Sequence, residues 1–223
     1  GDDLVSALLA AEDERGKGMD HEQLRDEVKT LLLAGHETTA LALTFAVFSL
    51  AQRPEVERRL VEELETVLGG RTPTVDDLDD LSYTERVATE TMRLYPPVYG
   101  MLREPTEEVD IGGYAVPEGT TISINQWVVH RDPRWYDDPM AFRPERWTPE
   151  MREELPRFAY FPFSGGPRRC IGDRFAVQEA KLVLATLYQR YHFELVSSPS
   201  LSLAAAITAR PKEPVEAAVH ERS

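Results

Sequence analysis

Position 170 holds the one cysteine of this 223-residue chain, within the run Phe163-Ser-Gly-Gly-Pro-Arg-Arg-Cys-Ile-Gly172. These residue types predict a loop that delivers a single thiolate to a metal at the start of a helix. Gly165, Gly166 and Gly172 would let the backbone pass close to a bulky planar ligand. Behind the sulfur, Gly172 to Arg190 carries the amphipathic period of a helix. A thiolate placed there faces the positive end of the helix dipole and backbone N–H groups without helical partners. That environment draws a cysteine pKa from about 8.5 toward roughly 3.5 to 7.5. Arg168 and Arg169 add positive charge beside it, and Phe163 offers an apolar cover.

The elements that must position such a sulfur can be read from capping, proline and period. A long helical pattern starts near Asp20 and runs to about Arg53; Asp20 with Gln23 reads as a capping box, and Pro54 ends the pattern. In its middle stands Ala34-Gly-His-Glu-Thr-Thr39. Gly35 costs about 1 kcal/mol against alanine in a helix interior, and the two threonines are poor helix formers. The helix is therefore expected to open locally there and admit a small ligand and a water to its backbone. A second helix, opened by Ser82 and Glu85 as a capping box, carries Glu90-Thr-Met-Arg93 near its end. Residues three apart share a helix face, so Glu90 and Arg93 can pair and still engage a third group. Tyr95-Pro-Pro-Val98 stops this helix. Short strands are expected over 99–103, 108–114 and 120–124, punctuated by Gly112-Gly113 and Pro117-Glu-Gly119. From His130 to about Pro162 the chain is rich in Pro, Trp and Asp with little periodicity, and His130 reads as a hydrogen-bonding structural histidine.

The run Phe163 to Gly172 resembles the haem-ligand loop of the cytochrome P450 family. Three further motifs of that family stand upstream in its order: Ala34 to Thr39, Glu90 to Arg93, and Pro144-Glu-Arg-Trp147. The resemblance implies a mainly α fold with small β-sheets, the cytochrome P450 fold in its C-terminal half only, because the family's earlier helices have no counterpart before Gly1. It makes Cys170 the metal ligand of haem b. Ala34, Gly35, Arg103, Phe163, Gly166, Arg168 and Gly172 would contact the cofactor, with Arg103 reaching a propionate. Glu37 and Thr38 would relay protons to dioxygen at the haem. Glu90, Arg93 and Arg146 would form a structural triad that holds the loop before Phe163 in register. Val98, Met101 and Leu102 would line the substrate pocket; Ala204 to Ile207 reads as a hairpin too generic in sequence to assign.

The implied reaction is monooxygenation: a small apolar organic substrate, O2 and two electrons give hydroxylated product and water. No flavin or nicotinamide fingerprint follows Cys170, so the electrons would come from a separate ferredoxin or flavoprotein reductase. Arg169, Arg174 and Lys181 form a candidate docking patch for it. Two other readings remain at this stage. One is an isomerase or lyase on the same haem scaffold that needs no external electrons. The other is a truncated fragment without catalysis, since activity would require the family's N-terminal half.

Composition bounds these readings. The length suits one unit spanning 1–223, with no internal repeat. A net charge of -14 argues against nucleic acid and anionic membrane surfaces, which demand a positive field. Lysine occurs only at positions 17, 29, 181 and 212, which fits either a high-salt cytoplasm or an arginine-rich coding bias. No apolar run is expected to reach the roughly 18 to 20 residues that span a bilayer. The lone cysteine excludes an internal disulfide and suits a reducing, cytoplasmic setting.

Overall fold

Residues 3–12 and 16–222 are described by a computed structural model. Asp20 ends the first loop by accepting the Gln23 amide at 2.8 Å, and the long helix α2 (His21–Leu50) follows after the short α1 (Leu4–Ala10). Pro54 opens α3 (Pro54–Leu68), where its missing N–H costs nothing. Gly69 closes that helix in the left-handed region at φ 56°. Then come α4 (Ser82–Leu94), α5 (Gln126–Val129), α6 (Pro149–Glu154) and α7 (Asp173–Arg190).

The C-terminal half of α2 packs with α3, α4 and α7 around one core. Leu50, Leu60, Leu64, Leu81, Val87, Leu184 and Tyr188 lose all solvent contact there. Burying each such leucine contributes about 1.5 to 3 kcal/mol before entropy is counted. The strands form four separate antiparallel pairs. β1 (Met101–Arg103) pairs with β4 (Ile122–Ile124), β2 (Val109–Ile111) with β3 (Tyr114–Val116), β5 (Tyr191–Leu195) with β8 (Ala217–Glu221), and β6 (Leu203–Ala205) with β7 (Ala209–Pro211).

Four sequence expectations need correction. The stretch 108–114 is not one strand. Gly112 and Gly113 take φ values of 63° and 87°, and this pair of left-handed residues folds the segment back as a tight hairpin between β2 and β3. The helix α2 does not open at Gly35, because it is continuous from His21 to Leu50. Thr38 fits into it by turning its hydroxyl back to donate to Ala34 O at 2.7 Å. The third concerns apolar length. α2 has 30 residues and a mean hydropathy of 1.5 over its best 18-residue window, enough by length and composition to cross a membrane. Its end is core: Phe45, Ala46, Phe48, Ser49 and Leu50 are buried, Ala46 and Leu50 within the common core and both phenylalanines against Tyr95, whereas Leu32 and Leu33 in its first half stand exposed.

The fourth correction concerns the start of α4. Ser82 is the first helical residue, and the N-cap Leu81 has no capping side chain. The cap arrives from α3 instead. Glu63 Oε1 accepts the Tyr83 amide at 2.5 Å and Oε2 the Thr84 amide at 2.8 Å; the Ser82 and Thr84 hydroxyls donate to the same carboxylate at 3.2 and 2.8 Å. One carboxylate thus satisfies two unpaired helix donors and favours the positive end of the dipole. Glu63→Ala is expected to lower stability by about 1 to 2 kcal/mol and Ser82→Ala by much less, measured as urea unfolding midpoints. The reverse order would show that Ser82 caps the helix after all.

Candidate active site

The Cys170 loop hangs from a buried network that begins on α4. Glu90 and Arg93, one turn apart, are both fully buried and paired twice, Arg93 Nε to Oε2 and Nη2 to Oε1, each at 2.8 Å. Arg146 joins them, its Nε donating to Glu90 Oε1 at 3.0 Å. The sequence-predicted trio therefore meets in space. Two members escaped the sequence reading: Trp147, whose indole N–H donates to Glu90 Oε2 at 2.9 Å, and the Arg143 amide, which donates to Oε1 at 2.8 Å. The proximity of Trp147 to Arg146 in the chain was the available signal for the first; a backbone amide leaves none.

One carboxylate against two guanidinium groups leaves an excess positive charge in the interior, and backbone carbonyls absorb it. Arg93 donates to the oxygens of His130, Pro139 and Ala141 at 2.8, 2.7 and 3.0 Å. Arg146 donates to those of Asp137, Asp138 and Ala141 at 2.9, 3.2 and 3.2 Å. The Tyr136 ring lies 4.9 Å from the Arg93 guanidinium carbon, a further cation contact. These bonds give the segment between α5 and α6 a defined path, although its only regular piece is a short 3-10 turn at Pro144–Arg146.

From that segment the next one is suspended. His130 Nε2 accepts the Phe161 amide at 2.9 Å, Gln126 Nε2 donates to Phe161 O at 2.5 Å, and the Tyr136 hydroxyl donates to Ala159 O at 2.9 Å. The expected hydrogen-bonding role of His130 is the one the structure shows. Its imidazole is pushed down to about 3 by burial first, then by the charges of Arg93 and Arg131, so it is neutral and free to accept through Nε2.

Two residues later the loop begins. Ser164 sits at φ 65°, a strained value for a residue with a side chain, and its hydroxyl donates to Met101 Sδ at 3.1 Å. Cys170 N closes the loop by donating to Phe163 O at 2.9 Å. The glycines divide their roles. A Cβ at Gly165 would lie 2.5 Å from the Phe158 ring, so this chain's own aromatic fills that space. Gly166 is at φ 70°, where glycine alone is unstrained. Cys170 is a free, exposed thiol, two residues before Gly172, the N-cap of α7.

The remaining predicted residues divide into several groups. Arg103 is half-buried, with Nη1 donating to Leu102 O at 2.8 Å; Arg168 is exposed. Leu102 is exposed, Val98 and Met101 are half-buried, and the Met101 sulfur is engaged by the cysteine loop. Ala34 and Gly35 are exposed on α2, while Glu37 and Thr38 are half-buried. The candidate docking patch loses a member. Lys181 is buried, donating to Leu78 O and, at 3.1 Å, to Glu85, because its position on α7 faces α4. Arg169 is paired with Asp173 one turn on, which leaves Arg174 exposed.

The cytochrome P450 family profile matches residues 1–216, and the chain belongs to that family. Cyclooctatin synthase of Streptomyces melanosporofaciens is 43% identical over 210 residues, covering 91% of this chain and 46% of that protein. Pentalenene oxygenase of Streptomyces avermitilis is 44% identical over 190 residues, 85% of this chain and 42% of that one. Among solved structures, the retinoic acid-bound cyanobacterial CYP120A1 superposes with a TM-score of 0.93 at 33% identity, over 99% of this chain and 51% of its own. The expected family and its mainly α fold are thereby established. The chain spans about half the length of the relatives it matches.

Two outcomes test the buried network. Glu90→Gln leaves two buried guanidinium groups facing a neutral amide and is expected to cost about 3 to 5 kcal/mol in urea unfolding; a cost below about 1 kcal/mol would mean that solvent reaches the pair. For His130, the folded value lies below the ordinary one, so the folded chain binds fewer protons than the unfolded chain. Its contribution to stability is complete above about pH 6.5 and is lost as pH falls toward about 3. Unfolding free energy should fall more steeply with acidification in the parent chain than in His130→Gln, and equal slopes would refute burial of a neutral ring.

Proposed function

We propose that this chain carries the thiolate side of a monooxygenase that inserts one oxygen atom of dioxygen into a small apolar organic substrate, with haem b held through Cys170. The observation that carries the proposal is the single exposed sulfur at the mouth of a loop fixed at Phe161 and Phe163, in a chain of the cytochrome P450 family. That family membership implies a haem cofactor.

The side chains around the loop fit such a group. Haem needs one soft donor, cations for its two carboxylates and apolar walls for its plane. Cys170 is a free sulfur. No carboxylate among the described residues is within ion-pair distance of Arg103 or Arg168, so neither charge is neutralised, although Arg103 Nη1 is engaged by Leu102 O. Leu102, Ile171 and Phe175 expose apolar surface, Ile171 to 90%, which water penalises until something covers it. Held by a thiolate, haem supplies the activation of dioxygen needed for attack on C–H bonds.

The chain's own residues have three tasks. Cys170 presents its sulfur on a loop whose backbone is pinned on both sides, so the donor does not have to be ordered when the cofactor arrives. Thr38 holds its hydroxyl proton on Ala34 O, which leaves both lone pairs of the oxygen to accept a hydrogen bond from outside the helix. Glu37, its neighbour, is half-exposed and can take a proton from solvent and offer it on that side.

The proposal extends to partners. Electrons come from a separate ferredoxin or flavoprotein reductase. The name of the relative pentalenene oxygenase supports an apolar alkene as substrate. A free thiol that has to remain reduced suits the cytoplasm.

In the haem-loaded protein, Cys170→Ser is expected to abolish the absorption band that marks thiolate ligation in the reduced, carbon monoxide-bound state. Retention of that band would remove Cys170 from the iron. Thr38→Ala should leave the band intact while product formed per reductant consumed falls several-fold; an unchanged ratio would remove Thr38 from proton delivery.

A further inference from the structure

Glu37 and Thr38 are adjacent on α2, yet their side chains are held by different parts of the molecule. The Thr38 hydroxyl is bonded within its own helix. The Glu37 carboxylate instead meets Arg210, 173 positions away in the chain, with Nη1 at 3.6 Å from Oε1. Among the described residues no other cation pairs with Glu37. Both side chains keep about half of their exposure, 44% for Glu37 and 54% for Arg210.

Arg210 is mounted on a braced support. It is the middle residue of β7, opposite Ala204 of β6. Its neighbour Ala209 is buried, so strand alternation turns Arg210 to the other face. The Ala209 amide donates to Pro97 O at 2.7 Å, and the Tyr99 hydroxyl donates to Ala206 O at 2.9 Å. These two bonds tie the β6–β7 hairpin to the turn that leads from α4 into β1. The support is thus fixed by directional bonds, whereas the contact to Glu37 is not. At 3.6 Å the pair is attracted by charge but makes no hydrogen bond, so the carboxylate is biased toward the hairpin without being locked there.

We infer that Arg210 is a positioning residue for Glu37: through the β6–β7 hairpin it selects the orientation from which the acid serves proton delivery. The inference rests on the relay reading of Glu37 given above. A loose ion pair suits an acid that must be oriented at rest and still leave to pass a proton. A hydrogen-bonded pair would hold it too well, and an unpaired acid on an exposed helix face would have no preferred direction.

The test has two arms in the haem-loaded protein. The first reads the contact without reference to activity, as hydrogen exchange at the Ala206, Ala209 and Lys212 amides, each of which is bonded in or beside the hairpin. Arg210→Gln and Glu37→Gln should each speed exchange there about two- to five-fold, the range of an exposed ion pair, and the double variant should be no faster than either. The second arm reads product formed per reductant consumed: Arg210→Gln should lower it by a similar factor, and Arg210→Lys should restore both readouts. Exchange in Glu37→Gln equal to that of the parent would overturn the pairing. Altered exchange with an unchanged ratio would overturn the positioning role and leave a purely structural contact. If no variant or parent forms product at all, the monooxygenase reading fails, while the exchange arm still decides whether Arg210 orients Glu37.

Discussion

A carboxylate without access to water, shared between two guanidinium groups, is the interaction on which the rest of the site depends. Glu90 alone could not be buried charged, since a lone ion in the interior costs several kcal/mol even after relaxation. Arg93 and Arg146 permit its burial. Their surplus charge in turn recruits carbonyl oxygens from five residues between His130 and Ala141. A segment too rich in proline and too aperiodic for helix or strand acquires its shape by solvating these cations. The backbone serves here as the counter-dipole that water would otherwise provide.

The shape is passed on through neutral contacts. His130 must remain uncharged to accept the Phe161 amide, and the positive surplus of the network helps to keep it so. Gln126 and Tyr136 secure the neighbouring carbonyls. The cysteine loop then starts from a backbone already fixed in position, tolerates the strained Ser164 and closes with one bond from Cys170 N to Phe163 O. Order therefore flows from a charged core to an exposed sulfur, which is the preorganisation that the proposed metal ligand requires.

The long helix α2 is held differently. Glu37 and Thr38, the relay pair we propose, belong to a helix whose first half holds no fully buried residue, and the acid meets one cation, Arg210, from a distant hairpin. Rigid donor and loosely held acid serve different ends. In the proposed reaction the first would be a metal ligand, which works by not moving, and the second a proton carrier, which works by having two places to be.

How much of this was legible beforehand follows from range. Phe163 to Gly172, Glu90 with Arg93, and the boundaries at Asp20, Pro54 and Pro96 are set by residues within a few positions of each other, and local sterics, capping and spacing suffice to read them. The same local logic misread the start of α4, where Ser82 looks like a cap but Glu63 arrives from another helix, and it placed Lys181 on a surface it never sees. It also expected Gly35 to open a helix that packing and a Thr38 back-bond keep continuous. The chain's sequence by itself determined the chemistry on offer: one sulfur, one acid beside one alcohol, and an acid–arginine pair on one helix face. Tertiary structure alone decided the company each group keeps, Trp147 on Glu90, Phe158 over Gly165 and Arg210 beside Glu37. Contacts between positions tens of residues apart depend on how whole elements dock, and docking is settled by the burial of the entire core, which no local window contains.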